Sequence, residues 1–178
     1  MTETAKMYGG SLYDLAAEEG LETRILGELD EVQQLLKQNP DYLRLLSTPS
    51  IPKKERCALL DKAFEGAHPY LVSFLKLLCE EDLLGELPGC LRAYQDRYNV
   101  DHNILEVTAV SAIALTAPSR EKLLAKLQKM TGKNIALTET VDPAVLGGLR
   151  LDMDGTRLDG TVQRHLERLR TEIDGAVL

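Results

Sequence analysis

Apolar residues recur at helical spacing through roughly the first hundred positions of the chain. They lie three or four residues apart, which places them on one face of successive amphipathic helices. Short connections between such helices predict a compact bundle of about six. The predicted inward-facing positions are Tyr8, Leu12, Leu15, Ala16, Leu21, Ile25, Leu29, Val32, Leu36, Leu59, Leu60, Ala63, Phe64, Leu71, Phe74, Leu75 and Leu78.

Prolines mark the ends of several of these helices. Pro52 and Pro69 lie at the predicted first turns of two helices, where a missing backbone N–H costs nothing. A sixth helix is predicted from about Leu83 to Tyr98, with a bend at Pro88 because proline cannot donate an interior hydrogen bond.

The pattern changes after Tyr98, where the sequence becomes polar and rich in turn-forming residues. We therefore predict a helical domain over residues 1–99, a linker over 100–103 and a second domain over 104–178. Residues 104–115 are rich in β-branched side chains, and their apolar and polar positions alternate as in a strand. Residues 134–141 form a second strand-like stretch. A helix between them, starting at Pro118, completes a βαβ unit. Its predicted inward positions are Leu123, Leu124, Leu127 and Met130.

A hairpin and a final helix are predicted after this unit. Leu149, Leu151 and Met153 alternate with polar residues, as in a half-buried strand, and a hairpin turn is predicted at Asp154-Gly155. Asp159 or Thr161 then caps a helix with Val162, Leu166, Leu169 and Ile173 on one face. The predicted fold class is mainly α, with a bundle of about six helices followed by a small α/β module.

Charge and composition exclude several classes of function. The chain has 178 residues, a net charge of −7, two Phe and no Trp. An acidic protein with few stacking platforms is a poor nucleic-acid binder. Three cysteines without a CxxC motif predict free thiols, and no metal or cofactor site is expected. No apolar run is long enough for a membrane span.

One short motif suggests catalysis. The stretch LRLDMDGTRL resembles the nucleophile motif of haloacid dehalogenase-type phosphatases, in which Asp152 would attack phosphorus and Asp154 would act as general acid and base. Such an enzyme needs further parallel strands after the motif. Only 24 residues follow Asp154, most of them in one predicted helix, so this hypothesis is disfavoured.

A longer signature favours a different function. It consists of VDPxxxGG, an apolar strand, an Asp-Gly turn, LDGTV and a Leu-rich helix, and it resembles the C-terminal signature of the F-type ATP synthase delta subunit, the family of the mitochondrial oligomycin-sensitivity-conferring protein. The resemblance also covers residues 107–112 and Tyr8, and departs from the family at Gly9-Gly10, where alanine is usual. The matching signature positions are Val141, Pro143, Gly147, Gly148, Asp159, Thr161, Val162 and Leu166.

The resemblance implies a non-catalytic stator subunit at the cytoplasmic face of a bacterial-type membrane. The bundle would bind the alpha-subunit N-termini of the catalytic head, with Tyr8 and Leu77 in the binding groove, and the C-terminal module would bind the b subunits. Arg164, Arg168 and Arg170, beside apolar positions of the terminal helix, are candidate b-subunit contacts. The alternative is a free helical adaptor with no role in energy conversion.

Overall fold

The computed structural model describes residues 1–48, 50–145, 148–153 and 156–159. The chain divides into two compact units, the first covering Met1–Val100 and the second beginning at Asp101. The first unit is helical, and the described part of the second contains one helix and a four-stranded sheet. The predicted fold class, mainly α with a small α/β part, is confirmed.

The first unit contains the predicted six α-helices. Their bounds are α1 Glu3–Glu18, α2 Glu22–Gln38, α3 Pro40–Leu46, α4 Lys53–Ala63, α5 Pro69–Glu80 and α6 Leu87–Asp101. The sixth differs from its prediction, because a short 3₁₀ turn over Leu84–Glu86 precedes it and α6 itself begins at Leu87. Pro88 therefore lies in the first turn of a helix and not at an interior bend, since the first-turn N–H has no intrahelical partner to lose.

Local capping fixes several helix ends. Thr2 is the N-cap of α1, and its Oγ1 accepts a hydrogen bond from the Ala5 amide at 3.1 Å. His68 caps α5, where Nδ1 accepts from the Tyr70 amide at 3.3 Å. Gly20 follows α1 with a φ of +67°, a left-handed conformation that glycine adopts without strain. These are short-range effects, and they separate α1 from α2 within a few residues.

The first unit has a continuous apolar core. Its fully buried members include Ile25, Leu29, Leu46, Leu60, Leu71, Leu75, Leu78 and Tyr94. The Tyr94 hydroxyl donates to the Glu22 carbonyl at 3.0 Å, and the Tyr94 ring meets Tyr13 edge-on with 5.2 Å between centroids. Desolvation and the nearby Glu22 carboxylate raise the pKa of Tyr94 above its ordinary value. The hydroxyl therefore remains a proton donor in the core.

The prediction of an inward-facing side chain is wrong at three positions. Leu15, Ala63 and Met130 are exposed, with 41% of Leu15 and 66% of Met130 accessible to solvent. In α1 the inward position is Tyr13, which is 3% exposed. The buried face runs through Ala5, Gly9, Leu12, Tyr13 and Ala16, and Leu15 lies outside that stripe.

The second unit is built as a βαβ unit and a hairpin, as predicted. Its elements are β1 Ile104–Ser111, α7 Ala117–Thr131, β2 Asn134–Val141, β3 Leu149–Met153 and β4 Thr156–Asp159. The strand order is β2-β1-β3-β4. Strands β1 and β2 are parallel, whereas β3 is antiparallel to both β1 and β4. The predicted helix after Asp159 lies outside the described residues.

The connection between the units is shorter than the predicted linker. Helix α6 continues through Asp101, so only His102 and Asn103 of residues 100–103 are outside a helix or strand. Asn103 has a φ of +53°, and its amide side chain donates to the Gly132 carbonyl at 3.2 Å. Strand β1 also ends earlier than predicted, at Ser111, whose hydroxyl donates to the Ile113 carbonyl at 2.7 Å. That contact forms a turn in place of four further strand residues.

Candidate functional site

Tyr8 lies on α1 at the margin of the first unit's core. Its side chain is half-buried and packs against the core cluster. Thr2, which caps the helix, also donates from its hydroxyl to the Glu86 carboxylate at 2.6 Å, and this bond ties the start of α1 to the segment before α6. The Tyr8 ring is therefore presented from a helix that is fixed at its N-terminus.

The glycine pair after Tyr8 brings α1 against α6. A Cβ atom built on Gly9 would lie 2.2 Å from the Cys90 carbonyl oxygen and 2.9 Å from the Ala93 Cβ. Gly89 makes a matching approach, since its Cβ would lie 2.8 Å from that of Ala5. In the sequence, Gly9-Gly10 is a departure from the family pattern, where alanine is usual. In the structure α1 remains helical through both residues, and the missing side chain is what permits the close crossing.

Exposed apolar side chains accompany Tyr8 on α1. Met7 is 62% exposed and Leu15 is 41% exposed. Leu15 follows Tyr8 by seven residues, two helical turns, so the two lie on the same side of the helix. Helical periodicity does not reveal this set, because it predicts that Leu15 faces the core.

Leu77 lies on the outside of α5. It is 42% exposed, whereas its neighbours Leu75, Leu78 and Cys79 are fully buried. The core face of α5 is therefore complete without Leu77. A large aliphatic side chain that does not contribute to the core is available to contact another molecule.

The end of α5 is held by charged groups from α4. The buried Arg56 donates from Nη1 to the Leu46 carbonyl and to Asp82 Oδ1, each at 2.8 Å. The Lys53 ammonium donates to the Glu80 carbonyl. The hydrogen bond from Arg56, together with its positive charge, holds the pKa of Asp82 below the ordinary value of 3.8. Asp82 has a φ of +56°, so it reverses the chain just after α5 while accepting from Arg56.

The signature segment of the second unit is described only in part. Val141, at the end of β2, is 51% exposed, and Pro143 is exposed in the following turn. Gly148 has a φ of +90°, a conformation that glycine adopts most readily, and Asp159 is the last residue of β4. The other signature residues, Gly147, Thr161, Val162 and Leu166, lie outside the described residues, as do Arg164, Arg168 and Arg170.

The geometry around Asp152 is that of a strand pair. Asp152 lies opposite Arg157 in the β3–β4 register, and Arg157 Nε donates to Asp152 Oδ1 at 2.7 Å. Arg150 Nε lies 3.5 Å from the other Asp152 oxygen. All five residues of β3 are half-buried, so burial does not separate its two faces as the sequence alternation predicted.

This arrangement does not support the phosphatase hypothesis. The strand that carries Asp152 is antiparallel to both of its neighbours, whereas the predicted nucleophile would lie at the end of a parallel strand. Asp154 lies outside the described residues. Among the residues that the structure describes, no cluster of three or more His, Cys, Asp or Glu side chains is arranged to hold a metal ion.

The family model and the related proteins that match this chain all belong to one family. The family model described as ATP synthase delta (OSCP) subunit matches residues 4–173. A protein named ATP synthase subunit delta from Rhizobium rhizogenes (strain K84) is 33% identical over 170 residues, which cover 93% of this chain and 89% of that protein. Its namesake from Desulfitobacterium hafniense (strain Y51) is 32% identical over 173 residues, which cover 97% of each chain.

The fold also resembles a solved structure. A chain in the cryo-EM structure of the Toxoplasma gondii mitochondrial ATP synthase hexamer superimposes with a TM-score of 0.73, covering 97% of this chain and 98% of that chain. The sequence identity is 19%, so this likeness concerns the fold. In the described ranges of the present chain, no helix has both the length and the apolar content needed to cross a bilayer.

Proposed function

The chain belongs to the ATP synthase delta (OSCP) subunit family and is a stator subunit of an F-type ATP synthase; from this premise we propose that its two units bind different partners. The helical unit binds the N-terminal segments of the alpha subunits, and the C-terminal unit binds the membrane-anchored b subunits. The match of the family model to residues 4–173, which includes both units, carries this proposal.

The chemistry of the helical unit suits an amphipathic partner helix. Met7 and Leu15 on α1 and Leu77 on α5 place apolar side chains outside the core, and Tyr8 lies half-buried at its margin. We name Tyr8 and Leu77 the head-binding pair. A partner helix can bury its apolar face on such side chains. Residues 1–100 carry 11 basic and 17 acidic side chains, and this net charge of −6 favours a partner with basic flanks.

The terminal helix predicted after Asp159 supplies the proposed b-subunit contact. Arg164, Arg168 and Arg170 would meet acidic side chains, while Val162 and Leu166 would meet apolar ones. The proposal for these residues rests on the sequence pattern and on the family match.

A connector with two ends has a mechanical role that needs no chemistry of its own. Rotation of the central stalk exerts torque on the catalytic head, and the head would turn with the rotor unless it were held. A subunit that binds both the head and the b subunits resists that torque, so that proton flow drives ATP synthesis. We propose that the protein acts without catalysing a reaction itself, at the cytoplasmic face of the cell membrane.

A fragment experiment tests the division between the two units. The fragment should end at Asp101 so that α6 remains whole. Added to membranes stripped of the full subunit, it should bind the head but fail to restore proton-coupled ATP synthesis, whereas the full chain should restore both. Restored coupling with the fragment would show that the C-terminal unit is not the link. Failure of the folded fragment to bind the head would refute the assignment of the helical unit.

The free-adaptor alternative has a separate test. A pull-down of the tagged chain from detergent-solubilised membranes, analysed by mass spectrometry, should recover it together with alpha and b subunits. Recovery of the tagged chain without any ATP synthase subunit would favour the adaptor.

A further inference from the structure

Three exposed lysines line one side of α7 and lie at positions i, i+4 and i+7, on neighbouring turns of the helix. We name them the lysine stripe, and its members are Lys122, Lys126 and Lys129. The other side of α7 packs on the sheet, where Leu127 is 3% exposed. On that side Arg120 Nε lies 3.1 Å from Glu139 Oε1 of β2. The lysine stripe therefore points away from the core of its own unit.

No acidic side chain on α7 neutralises the lysine stripe. Residues three or four positions apart in a helix are neighbours, and none of the three lysines has an acidic residue at that spacing. Among the residues that the structure describes, none of the three forms an ion pair with another element. In the first unit, by contrast, Arg24 pairs with Glu28 four residues later at 2.8 Å. Neighbouring like charges destabilise a helix, so the folding of α7 alone does not favour the stripe.

The charge of α7 is opposite in sign to the charge of the chain. The helix carries four basic side chains and one acidic one, a net charge of +3, whereas the whole chain carries −7. Met130 is 66% exposed and follows Lys126 by four residues, so it adds an apolar group at the border of the stripe. A partner that complements this face carries acidic side chains beside an apolar one.

We propose that the lysine stripe is a docking surface for an acidic α-helix of the b subunit, in addition to the contact assigned to the terminal helix. This inference rests on the proposed function, in which the second unit binds the b subunits. Lys122 and Lys129 are about 10 Å apart along the helix axis, at a rise of about 1.5 Å per residue. A helix that lies alongside α7, with Asp or Glu at i, i+4 and i+7, presents its carboxylates at the same intervals.

The geometry of α7 favours a protein helix over an anionic lipid surface as the partner. A helix that lies in a membrane interface buries its apolar face at the boundary of the lipid chains. The apolar face of α7 is already occupied by the sheet, since Leu127 is buried and Leu123 and Leu124 are half-buried. Met130 is the one large apolar side chain of this helix that is exposed, so α7 offers little for a bilayer to bury.

Calorimetric titration of the full chain with the soluble cytoplasmic part of the b subunit tests this surface. The test variant carries Lys122→Gln, Lys126→Gln and Lys129→Gln. Glutamine has a helix propensity close to that of lysine, so α7 should remain intact. The control variant carries Lys37→Gln, Lys54→Gln and Lys62→Gln. These three lysines are exposed on helices of the first unit, so the control removes the same charge at a distance from the stripe in sequence.

The test variant should bind the b subunit about tenfold more weakly than the wild type, and its affinity should depend less on salt concentration. The control variant should match the wild type in both measurements. A carbodiimide, which joins a lysine directly to a carboxylate, should link the lysine stripe to acidic residues of the b subunit in the wild-type complex. Circular dichroism checks that both variants are folded.

The docking surface is refuted if the folded test variant binds the b subunit as tightly as the wild type does; binding by the wild type would then still support the proposed function. An equal loss of affinity in the test and control variants would also refute it, because overall charge would then set the affinity. A wild-type chain that does not bind the b subunit at all would refute the proposed function itself. Retention of the wild type, but not of the test variant, on phosphatidylglycerol vesicles would assign the stripe to lipid instead.

Discussion

Gly9 on α1 lies directly against the Cys90 carbonyl oxygen on α6, close enough that a Cβ atom at Gly9 would be 2.2 Å from that oxygen. The obstacle is backbone, which cannot rotate away as a flexible side chain can. The two helices must separate to admit even a methyl group. Gly9 therefore sets the distance between α1 and α6.

We predict that Gly9→Ala destabilises the helical unit by about 1–3 kcal/mol or more, because overpacking moves backbone. The free energy of unfolding in urea, followed by circular dichroism, measures the change. Gly27→Ala is the matched control, since Gly27 lies within α2 and a Cβ there meets nothing within 4 Å. It should stabilise the protein by about 0.5–1 kcal/mol through helix propensity. Equal effects at the two positions would contradict the close packing at Gly9.

We predict that Tyr8→Ala and Leu77→Ala each weaken binding of an alpha-subunit N-terminal peptide by about tenfold, which corresponds to about 1.4 kcal/mol. Calorimetric titration of the full chain measures the affinity. Leu35→Ala is the control, because Leu35 is 49% exposed on α2, outside the head-binding pair. Circular dichroism must show an intact fold, since Tyr8 also contacts the core. Unchanged affinity in both folded variants would refute the head-binding pair.

We predict that Asp82→Asn lowers stability near neutral pH and has less effect in acid. The folded-state pKa of Asp82 is below its ordinary value of 3.8 because Arg56 stabilises the carboxylate. This contribution is fully present above the ordinary pKa and is lost as the pH falls through the lower folded pKa. Asparagine tolerates the positive φ at this position, so the change removes charge without backbone strain.

Urea unfolding of the wild type and the Asp82 variant across a pH series checks this prediction. The difference between them should narrow as the pH falls below 3.8. Asp41→Asn is the control, since the Asp41 side chain is 94% exposed and lies 3.6 Å from Arg44. It should have little effect at any pH. A constant difference for Asp82→Asn across the series would show that its charge is not the cause.

We predict that changing Asp152 and Asp154 to Asn leaves assembly of the ATP synthase intact. The Asp152 side chain is 32% exposed and its partner Arg157 is 61% exposed, so losing their ion pair should cost about 0.2–1 kcal/mol. Co-purification with the other subunits and proton-coupled ATP synthesis measure the result. A phosphorylated protein intermediate that disappears in the double variant would revive the phosphatase hypothesis.

The sequence by itself determined the elements and their order. Helical periodicity predicted the six helices of the first unit, and strand-like alternation around the helix at Pro118 predicted the βαβ unit. These signals are local, since a helix face or a strand is defined by residues a few positions apart. The signature from Val141 to Leu166 likewise identified the family from the order of its residues, and the family match confirms it.

Only the tertiary structure decided which faces meet. Leu15 and Tyr13 both fit an apolar stripe on α1, and only contact with the neighbouring helices shows that Tyr13 is buried and Leu15 exposed. Gly9 meets Cys90 across about eighty positions of sequence, on two different helices. Contacts of this kind depend on the distance between packed helices, which no local pattern of residues encodes.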